Sequence, residues 1–320
     1  MKILPVEAAH KLTDIKEDRR WLIENLWSDE AVGVIGGAPK SCKSWLALDL
    51  ALSVATGTPA LGVYPAAQSG PVLVFAAEDS PEAVKQRLQG LAQHRGVRLE
   101  DAPIYLILSH ALRLDVQEDQ ERLANTVSVY APKLLILDPF VRCHRIDENS
   151  AQEVSAVLGY LRNLQRRFHV AVLVVHHARK AGASTADQGL SLRGSGDLWA
   201  FGDTNLYLKR KHDVIELTAE HRNAAAIGPI SLALVTDDDT PHLAVVAAAA
   251  AAKEAPAVEE RILDILRRRL HPASQEEIRT DLKVRTQHAV AALRELERRG
   301  SVTRTRRGWT LASDINTKTG

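Results

Sequence analysis

The sequence predicts an α/β fold, a mostly parallel sheet with helices on both faces, followed by a small helical domain that ends in a hairpin. Three observations lead there. Short apolar runs rich in β-branched residues alternate with helical stretches, as strand-helix-strand units require. Several of these runs close on a carboxylate or a histidine, at the strand ends where open α/β sheets bind ligands. Finally, a run of six alanines, Ala247 to Ala252, marks a change of charge between two parts of the chain.

The first strand is Ala31-Val32-Gly33-Val34-Ile35, short and apolar enough for a buried parallel strand. Gly37 to Ser44 follows and matches the phosphate-binding pattern of Gly, four residues, Gly-Lys-Ser/Thr, except that Cys42 occupies the second glycine position. In such a loop, Gly37, Ala38, Lys40, Ser41 and Cys42 present backbone N–H groups to an anion at a helix N-terminus, with Pro39, which has none, forming part of the same turn. Lys43 would sit on the β and γ phosphates and Ser44 would offer its hydroxyl to Mg²⁺, so ATP with Mg²⁺ is the implied ligand. A cysteine there carries a Cβ, and at positive φ the strain is about 1–2 kcal/mol. Trp45 opens a helix that runs to Ala55 and stops at Gly57.

Pro71 to Ala77 is the second strand and ends in Glu78-Asp79-Ser80; Ser80-Pro81-Glu82 then has the composition of a helix start. Pro103 to Leu108 and Lys133 to Leu137 are further strands. The latter closes on Asp138, the Walker B arrangement in which a carboxylate holds Mg²⁺ directly or through water. Val170 to Val175 is a fifth strand, ending in His176-His177, and Thr204 to Lys209 a sixth, followed by Arg210.

Composition is that of a soluble globular chain, 45% hydrophobic and 25% charged over 320 residues. No apolar run approaches the ~18 residues of a membrane span, and Met1 to Glu7 lacks a signal-peptide core. Two cysteines, Cys42 and Cys143, form neither a disulfide framework nor a metal pattern. A cytoplasmic protein with no membrane partner is expected. From Pro256 onward 14 Lys and Arg face 9 Asp and Glu, so this part carries +5 and the remainder −4. Basic balance of that size suggests an anionic partner. The expected organisation is an ATPase domain over 1–246, an Ala-rich linker over 247–256, a second domain over 257–312 and a tail over 313–320.

Taken together, Gly37 to Ser44, Ala77-Glu78-Asp79, Leu137-Asp138, Asp147 to Ser150, His176-His177 and Arg193-Gly194-Ser195 resemble the RepA-type branch of the RecA-like ATPases, best known as ring-forming plasmid replicative helicases. The resemblance covers about residues 20–246. It implies that Glu78 polarises the attacking water, that Asp79 supports the metal or the water network, and that His177 senses the γ-phosphate. It implies an arginine finger reaching a neighbouring subunit of a homo-oligomer, presumed a hexamer, with Arg210 the first choice and Arg193 a loop-anchoring alternative. Single-stranded DNA would pass through the ring channel, contacted by Arg142, His144 and Arg145 after the Walker B strand and by Arg179 and Lys180 after the histidine strand.

The last part reads as three helices, Glu259 to Leu270, a short one opened by the capping box Ser274-Gln275-Glu276-Glu277, and Thr286 to Arg299, followed by a hairpin over 301–311. It resembles a winged helix-turn-helix domain. That resemblance places Arg285, Gln287 and neighbouring polar residues near duplex DNA, with Arg304, Arg306 and Arg307 on the wing. An ATP-driven replicative helicase is therefore expected. The alternative is an ATP-switched DNA-binding or helicase-loader protein without unwinding activity.

Overall fold

A computed structural model describes residues 4, 6–11, 20–109, 111–177, 196–211, 214–237, 240–246, 258–269, 271–282, 286–305 and 308–312. The chain divides into two compact units, Met1–Ala250 and Ala251–Gly320. Arg179, Lys180, Arg193, Arg285, Arg306, Arg307, the expected linker 247–256 and the tail 313–320 lie outside the described residues, as does the side chain of Gln287.

The first unit opens with a small hairpin, β1 (Trp21–Ile23) and β2 (Trp27–Ser28). Strands and helices then alternate: β3 (Val32–Gly37), α1 (Lys43–Thr56), β4 (Val72–Ala76), α2 (Pro81–His94), β5 (Ile104–Leu106), α3 (Gln117–Tyr130), β6 (Leu134–Asp138), α4 (Ala151–Phe168), β7 (Ala171–His177), α5 (Gly196–Phe201) and β8 (Thr204–Lys211). Three more strands close the unit, β9 (Val214–His221), β10 (Ile227–Asp237) and β11 (Thr240–Val245). Together they form a nine-stranded sheet ordered β11-β10-β9-β8-β3-β7-β6-β4-β5. From β8 to β5 all pairings are parallel; β8, β9, β10 and β11 pair antiparallel. The expected α/β fold, mostly parallel and with helices on both faces, is the observed one.

Strand periodicity builds the two faces. Alternate residues of one strand point to opposite sides, so Leu134 and Ile136 of β6 join a core with Leu46 and Leu50 of α1 and Leu88 of α2. Leu135 and Leu137 join the opposite core, with Val127 of α3 and Val157, Leu158 and Leu161 of α4. A buried ion pair ties the first core together: Arg95, just beyond α2, meets Asp49 of α1 at 2.5 Å, with side chains 7% and 3% exposed.

Local chemistry sets several element ends. Ser80 Oγ accepts from Ala83 N at 3.2 Å and Pro81 occupies the first turn, which starts α2 immediately after the β4 carboxylates. His176 and His177 belong to β7 itself, two residues past the expected strand end, because the ladder with β3 continues through Gly36–His176 and Gly37–His177.

The second unit contains α6 (Val258–Arg267), α7 (Gln275–Leu282), α8 (Thr286–Arg298) and the antiparallel pair β12 (Val302–Thr305) and β13 (Gly308–Leu311). Ile262, Leu266, Ile278, Leu293, Leu296, Val302 and Trp309 form its core. The expected capping box is present, with Glu277 N donating to Ser274 Oγ at 3.2 Å and Ser274 N donating to Glu277 Oε2 at 2.7 Å.

Candidate functional site

Parallel register brings five strand ends to one edge of the sheet. Gly37 lies beside His177 and Leu208, and Ala76 beside Asp138, so the residues that follow or close β3, β4, β6, β7 and β8 converge. Between them is a cavity of about 380 Å³ lined by the loop residues from Lys40 to Trp45 and by Glu78, Asp79, Arg87, Asp138, His177 and Arg210.

The loop wraps tightly at its start. A Cβ on Gly37 would lie 2.5 Å from Leu208 O and 2.7 Å from Ser41 Oγ, so no other residue fits without displacing β8. At its end, Cys42 is left-handed, φ 65° and ψ 27°, as is Lys40 at φ 63°. The loop therefore keeps the backbone shape that a glycine serves at position 42, with a thiol in its place. Burial pushes the Cys42 thiol up, while Arg210 and Lys43 pull it down.

Lys43 is only 4% exposed and its Nζ donates to Gly37 O at 3.0 Å and Ala38 O at 2.9 Å. Burial pushes its ammonium down to about 8, against the opposing pull of Asp138, Cys42 and Glu78. A phosphate in the loop would supply the counter-charge that restores the proton. Asp138 accepts from Ser44; its carboxyl is raised chiefly by burial and further by Asp79 and Glu78, and lowered by Ser44 and Lys43. A hydroxyl and a carboxylate in contact are hard oxygen donors, the set that suits Mg²⁺ shared with phosphates and water. Among the described residues no group of three or more His, Cys, Asp or Glu forms a metal cage.

Glu78 lies between an imidazole and a guanidinium. Its Oε2 is 4.0 Å from His177 Nε2 and its Oε1 accepts from Arg142 Nε at 2.9 Å. His177 is held below the usual histidine range, first by burial and then by Lys43 and Arg142, with Glu78 opposing, so its neutral form is favoured. His176 faces the other way, buried and 4.0 Å from Glu148.

Asp79, expected beside the metal, engages both carboxylate oxygens with Arg87, at 2.6 and 3.0 Å. Arg87 in turn lies 5.6 Å from the Trp45 ring centre. Arg210, expected to reach into a neighbouring subunit, lines the cavity of its own chain and donates to Lys40 O at 3.3 Å. His144, expected on a DNA-facing loop, is buried at 4% exposure against the Phe140 ring. Its neighbours Arg142 and Arg145 are exposed.

Arg87 was missing from the sequence reading. Only its position in α2, eight residues after Asp79, hinted at it, and that spacing has no chemical signature of its own. Arg304 is exposed on β12 opposite Trp309, its guanidinium 5.9 Å from the ring centre.

A family model described as an AAA domain matches residues 1–183. Among solved structures, one described as an ATPase domain aligns at TM-score 0.54 and 14% identity, covering 68% of this chain and 86% of its own. A DnaB-like replicative helicase, solved for its interactions with primase, aligns at TM-score 0.53 and 14% identity, covering 67% of this chain and 59% of its own. A RadB recombinase aligns at TM-score 0.47 and 19% identity, covering 68% and 92%. At these identities the structural likeness is one of fold.

Proposed function

We propose, from the premise that this chain belongs to the AAA domain family, that it hydrolyses ATP to drive movement along single-stranded DNA, as a RepA-type replicative helicase. One observation carries the reading: Lys43, Ser44, Asp138, Glu78, His177 and Arg210 line a single cavity at the C-terminal strand ends. Each has a distinct part. Lys43 and the loop N–H groups bind the phosphates; Ser44 and Asp138 would hold Mg²⁺, which neutralises phosphate charge when bound. Glu78 orients and deprotonates the attacking water, since phosphoryl transfer asks for positioning and charge stabilisation above all. Neutral His177, 4.0 Å from Glu78, donates to the γ-phosphate and loses that bond when the phosphate leaves.

Arg210 supplies positive charge to the nucleotide of its own chain in this reading, because its guanidinium already borders that cavity. We further propose a hexameric ring with single-stranded DNA in its channel, contacted through Arg142 and Arg145. For the second unit, with three helices and a hairpin, we propose a winged helix that contacts duplex DNA through α8 and the wing residue Arg304. Its net positive charge supports that choice.

The test measures ATP turnover and strand displacement with and without single-stranded DNA, for wild type, Lys43→Ala and Glu78→Gln. Wild type should show both activities and both variants should lose them. Displacement that survives Lys43→Ala overturns the ATP-driven helicase. DNA-stimulated turnover without displacement assigns instead an ATP-switched DNA-binding or loader protein.

A further inference from the structure

Glu78 borders a second cavity, separate from the nucleotide cavity. This one, of about 500 Å³, is lined by Phe75, Ala77, Glu78, Ala111, Arg113 and Arg142. We propose that Arg113 and Arg142 form a site for a nucleic-acid backbone phosphate, and that filling it draws Arg142 off Glu78 and so switches hydrolysis on. The proposal rests on the ATPase reading above and gives its DNA contact a mechanism.

Three features of the cavity support it. First, its polar wall holds two guanidinium groups against one carboxylate, an excess of positive charge that suits an anion. Second, Arg113 is fixed: its Nη1 donates to Arg142 O and His144 O, both at 3.2 Å, and its backbone N donates to Asp119 Oδ2 at 2.7 Å. Its Nε is buried and without a partner among the described residues, a donor with unused capacity on a side chain that lines the cavity. Third, Arg142 is bound to Glu78 through Nε at 2.9 Å, and both side chains are accessible, 62% and 45% exposed.

An exposed ion pair of this kind is weak, so a competing anion can displace it. Phosphate can accept two parallel N–H bonds across the guanidinium fork, whereas Glu78 takes a single N–H of Arg142, from Nε. While Arg142 holds Glu78, the carboxylate oxygen that accepts its N–H is less available to a water. Once Arg142 turns to a phosphate, Glu78 retains its approach to His177 at 4.0 Å and is free to take the water's proton. Linkage makes the coupling reciprocal: whatever releases Arg142 from Glu78 must tighten DNA binding.

That reciprocity supplies a test independent of hydrolysis. Binding of a fluorescein-labelled oligodeoxythymidylate to the full chain without nucleotide is followed by anisotropy for wild type, Glu78→Gln, Arg142→Gln and the double variant. Glu78→Gln should tighten binding about two- to five-fold, the factor expected of one exposed ion pair, and Arg142→Gln should weaken it. The gain from Glu78→Gln should vanish in the Arg142→Gln background. An equal gain in both backgrounds means a general charge effect and overturns the proposal, as does no gain at all.

In parallel, Arg142→Gln should raise unstimulated ATP turnover toward the DNA-stimulated level of wild type and abolish further stimulation; lower unstimulated turnover overturns the switch. A wild type with no turnover removes the ATPase reading and leaves the anisotropy cycle to decide the site. Excess inorganic phosphate should stimulate less than the oligonucleotide; equal stimulation assigns a free phosphate and overturns the backbone assignment.

Discussion

Replacing Cys42 with glycine should leave nucleotide affinity unchanged or improved, and the structure sets the size of the accompanying change in stability. Cys42 holds φ 65° and ψ 27°, a conformation that costs a residue with a Cβ about 1 kcal/mol or slightly more. Glycine removes that strain but adds unfolded-state freedom of about 0.5–1 kcal/mol. It also removes a partly buried side chain packed against the core around α1, a loss of about 0.8 kcal/mol per buried methylene-sized group. These contributions nearly cancel, so Cys42→Gly should change stability by less than about 1 kcal/mol, a melting shift within roughly 4 °C.

Cys42→Val separates this reasoning from a simple tolerance of the site. A β-branched residue is a poor fit to left-handed backbone, so it should destabilise the protein by at least ~1 kcal/mol more than glycine does and weaken binding of a non-hydrolysable ATP analogue. Thermal melts and titration calorimetry with the Mg²⁺-bound analogue measure both. A loss of affinity above about tenfold in Cys42→Gly, equal to ~1.4 kcal/mol, would refute the strain account and give the thiol a role of its own in binding.

Lys43 makes a pH prediction: with its ammonium near 8 and phosphate binding the charged form, analogue affinity should fall as pH rises through about 8, by at most about tenfold per unit. Lys43→Arg should flatten that dependence between pH 7 and 9 on the same calorimetric titration, as an arginine stays charged throughout. Arg95→Ala should cost about 3–5 kcal/mol in chemical denaturation, because it strands Asp49 in the core with a side chain 3% exposed. Mixing Arg210→Ala with Lys43→Ala chains should restore no ATP turnover if Arg210 serves its own chain; recovery in the mixture would instead make it a finger supplied by a neighbour.

The parallel core was legible because its signal is local and repeated. Each strand is a short apolar run, and each site residue stands at or just past the end of one, so order along the chain predicted neighbourhood in space for Gly37, Glu78, Asp138 and His177. The antiparallel extension was not. In β9, from Val214 to His221, apolar and polar residues alternate and Glu216, Glu220 and His221 interrupt the run, so the segment lacks the continuous apolar signature of the buried strands. Its pairing with β8 depends on the register between the two segments, which composition does not encode.

Arg210 shows the same division at the site. Sequence order placed it after a strand that ends near the loop, and that part of the inference holds because β8 pairs directly with β3. Direction is another matter: an arginine at a strand end can face its own cavity or a neighbouring chain, and the choice depends on how the extended strand projects beyond the sheet. Here β8 runs on to Lys211, past the Gly37–Leu208 pairing that ends its ladder with β3, and the Arg210 guanidinium turns back to Lys40 O. The same geometry puts Arg210 within electrostatic reach of the Cys42 thiol. The substituted loop and Arg210 are thus parts of one local arrangement, in which a cation at the strand end borders a loop that carries a thiol at its second glycine position.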